Sequence, residues 1–130
     1  MAAASIAAVA PLQAHHAFAA EFDDKKPLKL HGTVVKWELI NPHSWIRLDV
    51  KNSDGTVTQW MVEGGSPNAL FRNGFTKDSL PPGTEIIVEG FQAKDGANRA
   101  VGANLTLTDG KRLFLGGSAP GANGDSGAKQ

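Results

Sequence analysis

Cysteine is absent from this sequence of 130 residues. That excludes a disulfide framework and a thiol nucleophile, and it is compatible with any compartment. An excess of either charge is missing too. Thirteen Lys and Arg balance thirteen Asp and Glu. Such a chain lacks the basic footprint of a nucleic-acid binder. No apolar run is long enough to span a membrane as a helix. Catalytic signatures are also missing. There is no nucleophile elbow, no HExxH metal motif and no phosphate-binding glycine loop. Methionine is confined to Met1 and Met61. The length suits one domain.

What is present is centred on residues 28–50, LKLHGTVVKWELINPHSWIRLDV. This stretch reads as two strands folded back at Asn41-Pro42. Asn bonds locally to backbone, and Pro fixes φ and lacks a donor. After the turn the pattern alternates. Ser44, Ile46, Leu48 and Val50 form a core face, and His43, Trp45, Arg47 and Asp49 form the other. The second set places an imidazole, a large aromatic and a cation together. It is the natural candidate for a working surface.

The chain begins with an Ala-rich apolar segment, residues 1–14, that stops at His15-His16. It resembles the end of a secretory signal, with Ala14 before the cut, though a positive n-region is missing. The alternative is a disordered Ala-rich leader. Cleavage after Ala14 would leave His15 with a free α-amine beside its imidazole. Amine and imidazole nitrogens suit Cu(II) and Ni(II). The competing reading is a solvated terminus that binds stray metal weakly. Phe18 and Phe22 follow as one helical edge or as two anchors on the domain. Residues 23–27 read as a polar connector.

The first strand is expected from Leu28. Its phase changes between Val34 and Val35, which implies a bulge, and Gly32 permits close approach there. His31 reads as a half-buried, hydrogen-bonded residue. Asp54-Gly55 marks a hairpin turn. The third strand covers residues 56–63, with Trp60 and Val62 toward the core. Ser66 is a good N-cap and Pro67 a good first helical residue, so a short helix runs to Arg72 or Asn73 and ends at Gly74. Leu70, Phe71 and Phe75 are its expected apolar contacts, and residues 76–80 read as a further helical turn. Strands follow at 84–91 and 99–107, with a short one at 113–115. Residues 116–130 are rich in Gly, Ala and Ser and read as disordered.

The predicted fold is all-β. It is a small five-stranded OB-like Greek-key barrel with one short helix between strands three and four, and an SH3-like barrel is the competitor. The domain covers residues 15–115. In an OB-like barrel the second and third strands carry the usual binding face, which here displays Trp45 and Arg47.

Three separated motifs add a resemblance. His15-His16-Ala17-Phe18-Ala19-Ala20-Glu21-Phe22-Asp23, Asn41-Pro42-His43-Ser44-Trp45 and Glu63-Gly64-Gly65-Ser66-Pro67-Asn68-Ala69-Leu70 resemble a family of small exported Gram-negative proteins catalogued as a domain of unknown function. The likeness runs from about His15 to Phe114. It implies an exported, periplasmic or secreted domain and supplies no activity. A weaker likeness is to periplasmic copper chaperones, whose methionine-rich part is missing here.

The expected function is therefore a small exported binding protein. One reading gives it a transition metal such as copper, held by His15, His16 and His43. The alternative is an interaction barrel that uses Trp45 and Arg47 for a sugar, peptide or anion and needs no metal. Glu63 is either a ligand-binding carboxylate freed by Gly64-Gly65, or one that bonds to the terminus of the helix that follows. The second is favoured for dipole reasons. An esterase- or lyase-like enzyme lacks any supporting constellation.

Overall fold

The structure is a computed structural model that describes residues 20–123. The leader at 1–14, His15, His16 and Phe18 lie outside the described residues. Apart from a helical turn at residues 20–21, the described residues form an all-β fold with one short helix. Strands β1 (Phe22–Glu38), β2 (Trp45–Lys51) and β3 (Val57–Glu63) are followed by helix α1 (Pro67–Arg72). Strands β4 (Glu85–Ala93), β5 (Arg99–Leu107) and β6 (Arg112–Phe114) complete it. The sheet order is β3-β2-β1-β4-β5-β6, and its neighbours pair antiparallel. A short parallel pairing of Met61–Glu63 with Arg99–Val101 joins β3 to β5. The first five strands thus close into a ring.

Strand β1 makes the ring possible. Its first part pairs with β4 and its last part with β2, while Gly32 and Thr33 pair on both sides. The register shifts between Val34 and Lys36, where the alternation changes phase. The extra residue bends the strand and raises its twist. A Cβ on Gly32 would lie 2.6 Å from the Asp49 carbonyl oxygen, so only glycine fits this crossing.

The strand starts earlier than its apolar pattern indicates. Residues 23–27 belong to β1 rather than to a connector. The register there skips from Phe22 to Pro27, and Asp24, Lys25 and Lys26 are exposed. Polar side chains are tolerated because this stretch bulges away from the ladder. Pro27 still pairs with Phe91, a position its missing donor permits only where no ladder bond is needed.

The main core follows the alternation. Val34, Ile46, Leu48, Val62, Ile86, Val88 and Leu105 are buried, with Leu70 and Phe75 closing one end. Trp60 is partly buried against them. Helix α1 begins as its sequence dictates: Ser66 Oγ accepts from Ala69 N at 3.2 Å, and Pro67 occupies the first turn. Phe71, by contrast, is exposed, because a helix this short turns only one side to the core. Residues 76–80 form a turn rather than a helix, held by Ser79 N donating to Thr76 O at 3.1 Å. His31 is exposed rather than half-buried.

The segment expected to be disordered packs in part. Ala119 and Ala122 are buried, in a second cluster with Phe22, Ala93, Val101 and Ala103. Gly116 N donates to Ala122 O at 2.7 Å, which curls the segment onto β5. Composition misled here because small residues bury little area yet fit tightly against a flat, small-residue strand face. Deleting residues 116–130 is therefore expected to lower stability. The two alanine methyls alone account for ~0.8 kcal/mol each, and Phe22 loses its cover. Urea unfolding of the truncated chain checks this. An unchanged midpoint would mean that the packing contributes nothing.

Candidate functional site

The ladder between β2 and β3 continues past the end of both strands. Gly64 N donates to Ser44 O at 2.8 Å, and Ser44 N donates to Gly65 O at 2.9 Å. Trp45 is the register partner of Glu63. His43, two residues before Trp45, shares its face and becomes the diagonal neighbour of Glu63. The two side chains meet: His43 Nδ1 lies 2.8 Å from Glu63 Oε1. The Glu63 side chain is 8 % exposed and that of His43 is 46 % exposed. The pair thus couples a buried carboxylate to an accessible imidazole. The Asn41–Pro42 peptide that precedes it is cis.

A cavity of about 390 Å³ opens beside this pair. His43, Glu63 and Pro42 line one side, and Glu21 and Phe22 come from the start of β1. Gly116, Gly117 and Ser118 form a further wall. That wall can approach because Gly65 has no side chain. Gly65 N donates to Leu115 O at 2.6 Å, and a Cβ at Gly65 would fall 2.3 Å from the Gly116 oxygen. Phe22 is buried and anchors the start of β1. The Arg99 guanidinium sits 5.6 Å from the Phe22 ring centre.

Burial pushes the Glu63 carboxyl above its ordinary value. The His43 ring opposes this, Glu21 adds to it and Arg99 opposes it. The folded protein therefore holds a proton on Glu63 at pH values where the unfolded chain has lost it. Stability from this source is complete below about 4.5, the unperturbed value, and is lost as pH rises through the raised value. Glu63→Gln, which has no proton to lose, should gain stability relative to the native chain across that window. Urea midpoints measured in steps from acid to neutral pH check it. Parallel curves for the two proteins would contradict it.

The residues singled out from sequence are brought together only in part. His43 and Glu63 share the cavity. The carboxylate of Glu63 engages His43 and not the terminus of α1. Trp45 is half-buried on the same face but does not line the cavity. Arg47 lies farther along the strand, and its Nε donates to Glu38 Oε1 at 3.1 Å. Lys36 Nζ approaches the same oxygen at 3.8 Å. Among the described residues, no three His, Asp or Glu side chains are grouped to hold a metal ion. Sequence reasoning missed Glu21 and the Gly116–Ser118 wall. The only signal for the wall was the pair of alanines three residues apart within the glycine-rich stretch.

No curated protein and no solved structure matches the chain. A family model does match, over residues 2–103, which include both His43 and Glu63. The chain belongs to that family, a family of unknown function (DUF6152).

Proposed function

We propose that this is a small exported binding protein whose site is the cavity beside His43 and Glu63, and that the ligand is a transition-metal ion such as Cu(II). The observation that carries the reading is the 2.8 Å contact between His43 Nδ1 and a nearly buried carboxylate at the cavity edge. Histidines that bind metals through one nitrogen commonly donate the other N–H to a carboxylate. His43 supplies one donor. The others are His15 and His16, with the α-amine freed by cleavage after Ala14. His15 lies six positions before Glu21, which lines the cavity. An extended chain of that length reaches roughly 20 Å, so both histidines are within range of the site.

Export rests on the Ala-rich segment at 1–14 and the small residue before His15. A periplasmic location follows from the same reading. The ring order β1-β2-β3-β5-β4, with the helix between β3 and β4, supports an OB-like Greek-key barrel. In such a barrel the outer face of β2 and β3 would be the alternative site, without metal. Trp45 favours it, while Arg47 is already held by Glu38.

Protein purified from the periplasm tests the reading. N-terminal sequencing is expected to begin at His15, and elemental mass spectrometry to find close to one copper per chain. A protein recovered with its leader intact, or without any first-row metal after copper loading and desalting, would contradict it.

A further inference from the structure

Strand β1 loses its partner on one side at Val34. Before that it runs in register with β4, as far as Thr33 opposite Glu85. Two more bonds extend the ladder: Val34 N donates to Thr84 O, and Gly83 N donates to Val34 O, both at 2.8 Å. The next residues on that side are Pro82 and Pro81. Proline has no N–H to give, so the ladder ends there. Lys36, Trp37 and Glu38 still pair with β2, but no described strand runs along their other side. A cavity of about 460 Å³ lies there instead, with Lys36 and Trp37 on one wall and residues 77–82 on the other.

Such an open edge is a template for one more strand. Its side chains set what that strand must be. Trp37 is half-buried, with its ring centre 5.7 Å from that of Phe75, and the buried Leu80 also lines the cavity. Val35 and Ile40, at the two ends of the edge, are exposed apolar side chains. Lys36 is exposed, and it comes no closer than 3.8 Å to Glu38 Oε1, an oxygen that already accepts from Arg47 at 3.1 Å. Lys77 is exposed on the facing wall and forms no ion pair among the described residues. Two lysines of the lining are thus set against one acid, Asp78.

We propose that this edge takes an extended, acidic segment of a partner protein as an added strand. Main-chain bonds to the open side of β1 supply the pairing, and alternate side chains supply the selection. Successive residues of the added strand point to opposite faces. The residue beside Lys36 meets a cation, and the residue beside Trp37 meets an apolar wall. The matching segment therefore alternates acidic and apolar residues. Charge also decides against a second copy of this chain. Two such edges pairing antiparallel about their middle would set the two copies of Lys36 side by side, and like charges directly opposite destabilise a strand pair. This cavity shares no lining residue with the one beside His43, so the docking surface is separate from the proposed metal site.

The probe is a short end-blocked peptide of alternating Glu and Val, titrated into the isotope-labelled full-length protein and followed by NMR. A peptide of alternating Lys and Val is the control. Saturable amide shifts are expected at residues 35–40 and 77–82, with the Lys-Val peptide bound about 10-fold more weakly or worse. Edge amides of residues 35–38 that do not bond to β2 should exchange fast in the free protein and slowly in the complex. The double variant Lys36→Glu with Lys77→Glu should reverse the preference, taking the Lys-Val peptide about 10-fold more tightly than the Glu-Val one. Both side chains are exposed, so the variant is expected to fold, and its urea midpoint checks this. If it does not fold, Lys36→Gln with Lys77→Gln serves, and should lose the preference. No saturable shift at millimolar peptide, shifts confined to the outer face of β2 and β3, or a Glu-Val preference that survives the lysine changes would overturn the proposal. Slow exchange of the edge amides in the dilute free protein would also overturn it, because the chain's own residues would then cover the edge. Protection that grows with protein concentration would make the occupant a second copy, and the proposal would again fail.

Discussion

Gly65→Ala is expected to lower stability by ~1–3 kcal/mol or more and to remove one wall of the cavity. The new methyl would fall 2.3 Å from the Gly116 oxygen and 2.5 Å from the Gly116 carbonyl carbon. Both are backbone atoms, so no side chain can rotate aside. Either residues 115–117 move or the segment after β3 does. Moving the first breaks the bond from Gly65 N to Leu115 O and loosens the curl held by Gly116 N and Ala122 O. Moving the second disturbs the Ser44 pairing that places His43 beside Glu63. Stability and site geometry are thus coupled at one residue. Urea unfolding of the variant measures the first effect. A midpoint equal to that of the native protein would show that the crossing is looser than its geometry implies.

Leu48→Ala is the second large effect, expected to cost ~2–5 kcal/mol. Leu48 is fully buried and lies in register between Val34 of β1 and Trp60 of β3. Removing three carbons there leaves a hole bounded by three strands of a closed ring. Ring closure limits how far those strands can collapse inward. Val57→Ala is the control: Val57 is 60 % exposed, at the start of β3, and should change stability by no more than ~0.5 kcal/mol. The denaturant slope should stay constant in both variants while the midpoint falls in the first alone. Equal midpoints for the two would mean that the inward and outward faces of the sheet have been interchanged.

The sequence made the scaffold readable where local chemistry and tertiary packing agree. Strand β5 runs over the residues its alternation indicates, 99–107, and α1 starts where Ser66 and Pro67 place it. The bulge in β1 follows from a change of phase that only an extra residue can reconcile. It fails where burial is carried by small or polar residues. Ala119 and Ala122 are buried without any hydrophobic run around them, and the polar start of β1 stays in the strand because Phe22 and Pro27 on either side of it pair with β4. The site was partly readable for a related reason. His43 and Glu63 each stand out as isolated functional side chains. Their contact depends on register across β2 and β3 and on two residues of pairing beyond the strand ends. Residue types cannot specify either.

The Phe anchors illustrate the same limit. Phe22 is buried against Ala93 and Val101, which ties the start of β1 to the cavity. From sequence alone the spacing of Phe18 and Phe22 fits a helical edge equally well. Structure resolves the choice for Phe22 because it sits in the ladder opposite Ala93.

Titration of Cu(II) into mature protein beginning at His15, alongside its His15→Ala and His43→Ala variants, tests the central claim most directly. One ion is expected per native chain. Both variants should bind more weakly, since the proposed site draws its donors from the terminus and the first hairpin turn. Equal affinity in all three proteins would contradict it.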